Sequence, residues 1–217
     1  MGLPVRHFIV ASNANNVLTD FLTTGVYDRR RPFVKTITPS MDILISSNLE
    51  RMLYYASEGD AALIVRLMED LRAEGVFRVE GDMLERIRSL FKCGWADDAE
   101  TSAMIREAWE RDGRLIDPHT AVALKVARER ADKSVPCVVL STASPFKFCR
   151  DVYAALSGRP LEDGADGFAY MDALSVLTGE AAPSPLAALR SMPVLHKDVV
   201  KPEGMADFIR AASARAF

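Results

Sequence analysis

Two short apolar runs constrain the fold of this chain more than any other feature, because a helix follows each of them. The first run, at residues 6–12 (RHFIVAS), leads into an amphipathic helix that Gly25 closes. The second, at residues 137–140 (CVVL), is a continuous apolar run typical of strands buried in parallel sheets, and Pro145 opens the helix after it. The order strand, loop, helix predicts an α/β fold with parallel strands.

Helical patterns fill the middle of the chain. Asp60 is the predicted cap of a helix that ends at Gly75, and helices around 83–91 and 98–111 complete a helical section at about 60–115. Asp117, with Pro118 at the first helical position, begins a further helix. The whole of 1–217 is therefore interpreted as one helix-rich α/β part.

Two local patterns give further expectations. Ser46 or Ser47, with Glu50 nearby, predicts a capping box for the helix that contains Leu49. Three arginines beside a proline at residues 27–32 predict a loop. These arginines fit either a basic surface loop or a clamp for a phosphate.

Composition limits the possible partners and compartment. The 217 residues carry a net charge of −3 from 27 basic and 30 acidic side chains, which argues against a nucleic-acid or anionic-membrane binder and for a small-molecule partner. The three cysteines lack CxxC spacing and a nearby histidine cluster, so neither a disulfide framework nor a metal site is expected. With no apolar run long enough to span a membrane and no signal-peptide layout, we expect a cytoplasmic protein.

The segment LSTASPFKF at residues 140–148 places the hydroxyls of Ser141 and Thr142 after a predicted strand. Ligands of open α/β sheets bind at that edge. Hydroxyls before a proline also cap helices, and Ser144 is the natural cap for Pro145. Lys147 either contacts a phosphate or is a solvated lysine on the first helical turn.

Polar groups also cluster in TPSMDILISSNLER at residues 38–51. Asp42 lies among apolar neighbours and fits a general base, a cap or half of a buried ion pair. Ser40, Ser47 and Asn48 offer groups that can position a substrate carboxylate or phosphate.

Asparagines follow the first predicted strand in IVASNANNVL. Asn13 and Asn15 can hydrogen-bond a cofactor or substrate oxygen, but asparagines at such turns also cap helices. In DPHTAVA at residues 117–123, His119 is expected to be a surface or packing residue, because the sequence places no second histidine or carboxylate near it.

These four segments together resemble those of threonine synthases, the pyridoxal-phosphate enzymes that make threonine from O-phosphohomoserine. The resemblance implies a partial three-layer open sheet of the fold type II pyridoxal-phosphate enzymes, with 1–217 as the carboxyl-terminal part of the large cofactor-binding domain. Thr142 matches the family threonine that meets the pyridine nitrogen of the cofactor. Ser144 and Phe146 stand where the family often has histidine and alanine.

The resemblance also implies roles for the other polar residues. Thr142 and Ser141 would bind the cofactor, and the substrate would be bound by Asn13, Asn15, Ser40, Asp42, Ser47, Asn48 and Lys147. The Schiff-base lysine and the glycine-rich phosphate loop would lie in the amino-terminal half of the same enzyme, so no catalytic residue is assigned here. We expect the chain alone to be inactive. Two alternatives stay open, a noncatalytic binding protein of the same fold and a lyase that removes phosphate from phosphohomoserine without making threonine.

Overall fold

The computed structural model describes residues 4–160, 162, 164, 166–195 and 197–216, and the chain divides into two units, Met1–Pro183 and Ser184–Phe217. None of the described helices is long and apolar enough to cross a membrane. The first unit contains β1 (Phe8–Ser12), α1 (Val17–Thr24), β2 (Val26–Asp28), α2 (Leu49–Ala56), α3 (Ala61–Ala73), β3 (Val76–Arg78), α4 (Gly81–Leu90), β4 (Phe91–Trp95), α5 (Asp98–Asp112), α6 (Pro118–Arg130), α7 (Cys149–Ser157) and α8 (Gly167–Thr178), with 3-10 turns at Pro39–Met41 and Pro145–Phe148. The second unit contains α9 (Ser184–Ala188) and α10 (Met205–Ala216), with 3-10 turns at Leu189–Ser191 and Pro202–Gly204.

A two-stranded parallel sheet with helices on both faces confirms the α/β prediction. Strand β1 pairs in parallel with β4, and Phe8 lies opposite Phe91. Cys93 of β4 points toward α1, where its Sγ lies 3.6 Å from the Thr19 carbonyl oxygen. The next residue, Gly94, faces α6 instead, because successive residues of a strand point to opposite faces. The strands are thus the middle layer of three.

Gly94 lets α6 approach the sheet closely. A Cβ atom built at this position would lie 2.9 Å from Val126 Cγ1, which is closer than carbon atoms pack. The fully buried Val126 therefore occupies the space that a larger residue in β4 would need. Two backbone contacts fix the helix along the strand, since Lys125 Nζ donates to the Trp95 carbonyl oxygen at 2.9 Å and Lys92 Nζ donates to that of Arg130 at 3.1 Å.

A second sheet, in which β2 and β3 pair antiparallel, contributes to an apolar cluster of buried residues. The rings of Tyr27 and Phe77 stack with centroids 5.1 Å apart, and the edge of Phe21 meets both rings. Leucines of α2 and α3 complete the cluster from the helical side. Stacked and edge-to-face aromatic pairs add about 0.5–1.5 kcal/mol each beyond the area they bury.

Predictions that rest on local capping chemistry are confirmed. Gly25 ends α1 in the left-handed conformation, with φ at 80°, and a Cβ there would also collide with the Val79 carbonyl oxygen at 2.3 Å. Asp60 caps α3 and Asp117 caps α6, each by accepting a backbone N–H from the first helical turn. Ser144 accepts from the Phe146 N–H and begins the turn that leads into α7.

Three local predictions are wrong. Asn48, not Ser46 or Ser47, precedes α2, and no side chain caps that helix. Residues 27 and 28 belong to β2 instead of a loop. Residues 137–140, predicted as a buried strand, have no strand partner among the described residues, and Val138 is 82% exposed. The helical section at about 60–115 also contains β3 and β4, which its patterns did not indicate.

Candidate functional site

The chain assembles its polar side chains at the carboxyl end of β1, where ligands of parallel sheets bind. A connecting segment, residues 34–42, passes over this end and reaches the first turns of two helices. The Ile37 N–H donates to Asp98 Oδ1 at the start of α5, at 3.3 Å. The Ser40 N–H donates to His119 Nε2 at the start of α6, at 3.2 Å. A separate segment, residues 141–142, also contacts α6, through Ser141 and Thr120.

Asn13 is the buried centre of the first group of contacts. Its side chain is 1% exposed, and its Nδ2 donates to Asp42 Oδ1 at 2.7 Å and to Thr36 Oγ1 at 2.9 Å. The Asn13 Oδ1 accepts the Asn15 N–H at 2.9 Å. Thr38 Oγ1 lies 3.0 Å from Asn13 Nδ2. The amide of Asn13 is therefore fully used by the protein itself.

Asp42 anchors the connecting segment through both carboxylate oxygens. Its Oδ1 accepts from the Thr36 hydroxyl at 2.7 Å and from Asn15 Nδ2 at 3.2 Å, and its Oδ2 accepts the Thr36 N–H at 3.0 Å. Asn15 also pairs with the Val34 backbone, donating at 2.7 Å and accepting at 2.9 Å. Carboxylate and amide groups in this arrangement hold the loop in one conformation.

Asp117 is the centre of the second group of contacts. The carboxylate is fully buried, and Oδ1 lies 2.9 Å from both the backbone nitrogen and the Nδ1 atom of His119. The Thr120 hydroxyl donates to Oδ2. Burial by itself would raise the pKa of Asp117, but the hydrogen bonds from His119 and Thr120 outweigh it and hold that pKa below its ordinary value.

The hydroxyls of residues 141–144 differ in what they contact. Ser141 Oγ lies 3.3 Å from Thr120 Oγ1, and Ser144 Oγ caps the following turn. Thr142 is exposed, and within the described part of the chain its hydroxyl has no hydrogen-bond partner. The Thr142 hydroxyl is therefore available to form a hydrogen bond with a ligand beside this segment.

Comparisons with known proteins show what this chain is similar to. The family model "Threonine synthase, C-terminal" matches residues 120–203. The chain is 36% identical over 202 residues to threonine synthase-like 1 of Pongo abelii, which covers 93% of this chain and 25% of that relative. It is 38% identical over 160 residues to threonine synthase of Pseudomonas aeruginosa, covering 73% and 34% respectively. A crystal structure of PLP-bound threonine synthase from Brucella melitensis superimposes with a TM-score of 0.71 at 41% identity, covering 82% of this chain and 37% of that one.

By these matches, the chain is similar to the carboxyl-terminal part of threonine synthases. It spans between a quarter and about a third of the length of these curated relatives, at 25% and 34%. The family match at residues 120–203 includes α6 from its first turn onward, the 141–142 segment and α7. The residues that match the family model therefore include the part of the site around Thr120 and Thr142.

The structure brings some of the predicted site residues together and leaves others apart. Thr142 and Ser141 lie beside α6, and Ser40 is linked to the same helix through His119. Asn13, Asn15 and Asp42 meet one another, but as an internal network. Ser47 and Asn48 lie exposed before α2, where Asn48 Oδ1 accepts from Arg51 at 2.7 Å.

Lys147 and the three arginines have contacts within the protein. Lys147 is exposed, and its ammonium lies 5.6 Å from the centre of the Phe148 ring. Arg30 pairs with Asp28 at 2.9 Å, and its hydrogen bonds lower the pKa of that carboxyl to about 2. The guanidinium of Arg31 pairs with Asp20 at 2.8 Å. Arg29 donates to a backbone carbonyl oxygen of α3, so all three arginines have internal partners.

The sequence analysis missed the acidic partner of His119. Asp117 precedes His119 by two positions and Thr120 by three, and a side chain at a helix N-cap meets the residues at those two positions of the first turn. Asp117 was assigned only as a cap, although a capping carboxylate has a second oxygen that can orient a neighbour. The spacing of Asp117 and His119 at the start of a helix is the sequence feature from which their contact could have been predicted.

The described residues fit one part of a pyridoxal-phosphate site. Thr142 offers an exposed neutral hydroxyl that no protein group occupies, as contact with a ring nitrogen requires. The chain contains no glycine-rich turn of the kind that cradles a phosphate, and its late glycines are scattered. The residues present thus match the ring end of the cofactor.

Proposed function

We propose that this chain is the part of a threonine synthase that presents Thr142 to the ring of pyridoxal phosphate. The complete enzyme would convert O-phospho-L-homoserine and water into L-threonine and phosphate. The observation that carries the proposal is the free Thr142 hydroxyl between Ser141 and Ser144, whose own hydroxyls contact protein groups. The match to threonine synthases over the same segment supports it.

Bound pyridoxal phosphate would supply an electron sink for carbanion character at the substrate. Thr142 would hold the ring in position by a hydrogen bond to its nitrogen. Because a neutral hydroxyl does not stabilise a protonated ring nitrogen as a carboxylate would, Thr142 would keep that sink moderate. Ser40, exposed in the turn Pro39–Met41, would offer a hydroxyl to the substrate from a different segment than Thr142.

The proposal includes a polypeptide partner, the amino-terminal half of the same enzyme. Two observations support it. Among the described residues β1 pairs on one edge only, so its other edge presents unpaired backbone groups. The extended residues 137–140 expose Val138 by 82% and Leu140 by 73%, which is typical of an apolar surface that another element covers.

The activity is tested in a chimaeric enzyme. The segment of Pseudomonas aeruginosa threonine synthase that aligns with this chain is replaced by the chain, and threonine and phosphate are measured with phosphohomoserine as substrate. Thr142→Val should lower kcat/KM about tenfold, the value of one hydrogen bond of about 1.4 kcal/mol, and Thr142→Ser should restore it. Thr24→Val, an exposed threonine at the end of α1 remote from this edge of the sheet, should leave the rate unchanged. Equal rates for Thr142→Val and the unmodified chimaera would refute the role of Thr142.

The phospho-lyase is a second candidate, because the names of the relatives do not restrict the activity to threonine synthesis. The curated matches that cover 93% of the chain are named threonine synthase-like 1, not threonine synthase. In the same assay, a phospho-lyase would release phosphate without an equal amount of threonine. A noncatalytic protein would release neither, although the chimaera folded and bound the cofactor.

A further inference from the structure

We propose that His119 is a positioning residue, held in a single tautomer, that fixes the Ser40 turn while the neighbouring Thr120 fixes the 141–142 segment. Both residues take their orientation from one buried carboxylate, that of Asp117. The hydrogen-bond pattern stands by itself. Its consequence for the ligand contacts of Ser40 and Thr142 rests on the proposed function.

The tautomer of His119 follows from its two contacts. The Ser40 N–H can only donate, so the His119 Nε2 atom, 3.2 Å away, must accept and carries no proton. The single ring proton of the neutral imidazole then resides on Nδ1, which donates to Asp117 Oδ1 at 2.9 Å. With the His119 side chain 10% exposed and that of Asp117 fully buried, water has little access to compete for either bond.

The Thr120 side chain provides the second contact of the same carboxylate. Its hydroxyl has one proton, which the charged Asp117 Oδ2 accepts in preference to a neutral hydroxyl. The same hydroxyl oxygen lies 3.3 Å from Ser141 Oγ, which links α6 to the 141–142 segment. Thr120 therefore orients the segment that carries Thr142.

An aromatic contact fixes the plane of the imidazole. The rings of His119 and Phe148 have centroids 4.6 Å apart and are tilted by 56°. Phe148 belongs to the turn Pro145–Phe148, which follows the 141–142 segment. The imidazole is thus held at three sides, by the carboxylate, the Ser40 amide and this ring.

As a consequence, two segments of the chain are positioned by the single carboxylate of Asp117. Ser40 and Thr142 are both exposed, and neither hydroxyl has a partner within the described residues. They lie on separate segments, and each segment contacts α6 through a side chain that Asp117 orients. The relative position of these two free hydroxyls is therefore set by the first turn of α6.

The tautomer is tested by NMR on the 217-residue chain labelled with ¹⁵N, through long-range couplings within the imidazole rings. His119→Gln identifies the signal by its loss. We expect the Nδ1–H tautomer near neutral pH. A spectrum of the Nε2–H tautomer would overturn the proposal.

The positioning role is tested by amide hydrogen exchange of Ser40 in matched variants. His119→Phe keeps a ring against Phe148 but removes both hydrogen bonds, and Ser40 exchange should rise about tenfold. His119→Gln keeps an acceptor and should restore the protection. Thr120→Val should leave Ser40 exchange unchanged and alter the Ser141 signals instead. Unchanged Ser40 exchange in His119→Phe would overturn the proposal. Because no cofactor or substrate is present, failure here is distinct from failure of the chimaeric enzyme assay.

Discussion

Single residues decide how firmly the connecting segment 34–42 is held over the sheet. No buried side-chain nitrogen or oxygen among the described residues lacks a hydrogen-bond partner. Asn13 contributes the largest share of these hydrogen bonds near the segment, because its one side-chain amide bonds to Asp42, Thr36 and the Asn15 backbone together. A buried network of this kind is stable when complete and costly when one member is lost.

Replacing Asn13 by alanine should therefore destabilise the protein. The change leaves polar groups of Thr36 and Asp42 without their buried partner, and we expect the free energy of unfolding to fall by about 2 kcal/mol. Urea denaturation monitored by circular dichroism measures it. Ser47→Ala is the control, since Ser47 is exposed and its hydroxyl has no partner in the described structure. Equal stability of the Asn13 and Ser47 variants would show that the network contributes nothing.

The carboxylate of Asp117 should make stability depend on pH. Its pKa is held below the ordinary value, so the stabilisation is present above the unfolded-state pKa and is lost as the pH falls through the folded-state pKa. Asp117→Asn keeps a capping oxygen but removes the charge, and should cost about 1–2 kcal/mol at pH 7. Urea midpoints measured from pH 7 to pH 3 should converge for the two proteins. A difference that stays constant over this range would contradict the expectation.

Among the elements, the contact of α6 with β4 depends on the absence of a side chain at Gly94. Gly94→Ala would bring a Cβ to 2.9 Å from Val126, so the helix must shift and stability should fall by about 1–3 kcal/mol. Thermal unfolding measures this. The double variant with Val126→Ala should relieve part of the new strain. Gly167→Ala, with nothing within 4 Å of its added Cβ, should be neutral or slightly stabilising. A larger loss at Gly167 than at Gly94 would reject the packing argument.

The elements that the sequence predicted are those whose signals are local. Asp60, Asp117 and Ser144 act within three residues of their own position, so their capping roles can be read from neighbouring letters. Gly25 marks a helix end because it alone accepts the left-handed backbone there without strain. A helix and its ends are therefore accessible from sequence patterns.

The unpredicted elements depend on partners distant in sequence. Strand β4 pairs with β1 across about eighty positions. Its residues 91–95 (FKCGW) alternate for only five positions directly after the helical pattern of α4, so the alternation is too short to distinguish a strand from the end of that helix. Strands β2 and β3 have three residues each, which is too short for a periodic pattern. The opposite error occurred at residues 137–140, where an apolar run indicated a strand that has no partner in the described structure.

At the scale of the whole molecule, the site is assembled from four separate stretches of the chain. The sequence motifs include all four, around Asn13, Asp42, Asp117 and Thr142, but candidate site residues were assigned in only three of them, because Asp117 was predicted only as a cap. They did not indicate that Asn13 and Asp42 bind each other, nor that His119 bridges to Ser40, because both contacts join residues far apart in sequence. Pairwise contacts between motifs required the structure.

The exposed apolar surface of the isolated chain leads to a last prediction, that the chain associates with itself. Val138 and Leu140 lie on an extended segment and are 82% and 73% exposed, and such segments pair or stack when no other element covers them. Sedimentation velocity should show association that increases with concentration, and Val138→Lys should reduce it by introducing a charge. Val176→Lys is the matched control, because Val176 is 86% exposed but lies on α8, whose backbone is already hydrogen-bonded. If both lysine variants reduce association equally, general surface hydrophobicity is the cause, whereas a concentration-independent monomer would contradict the proposed open surface altogether.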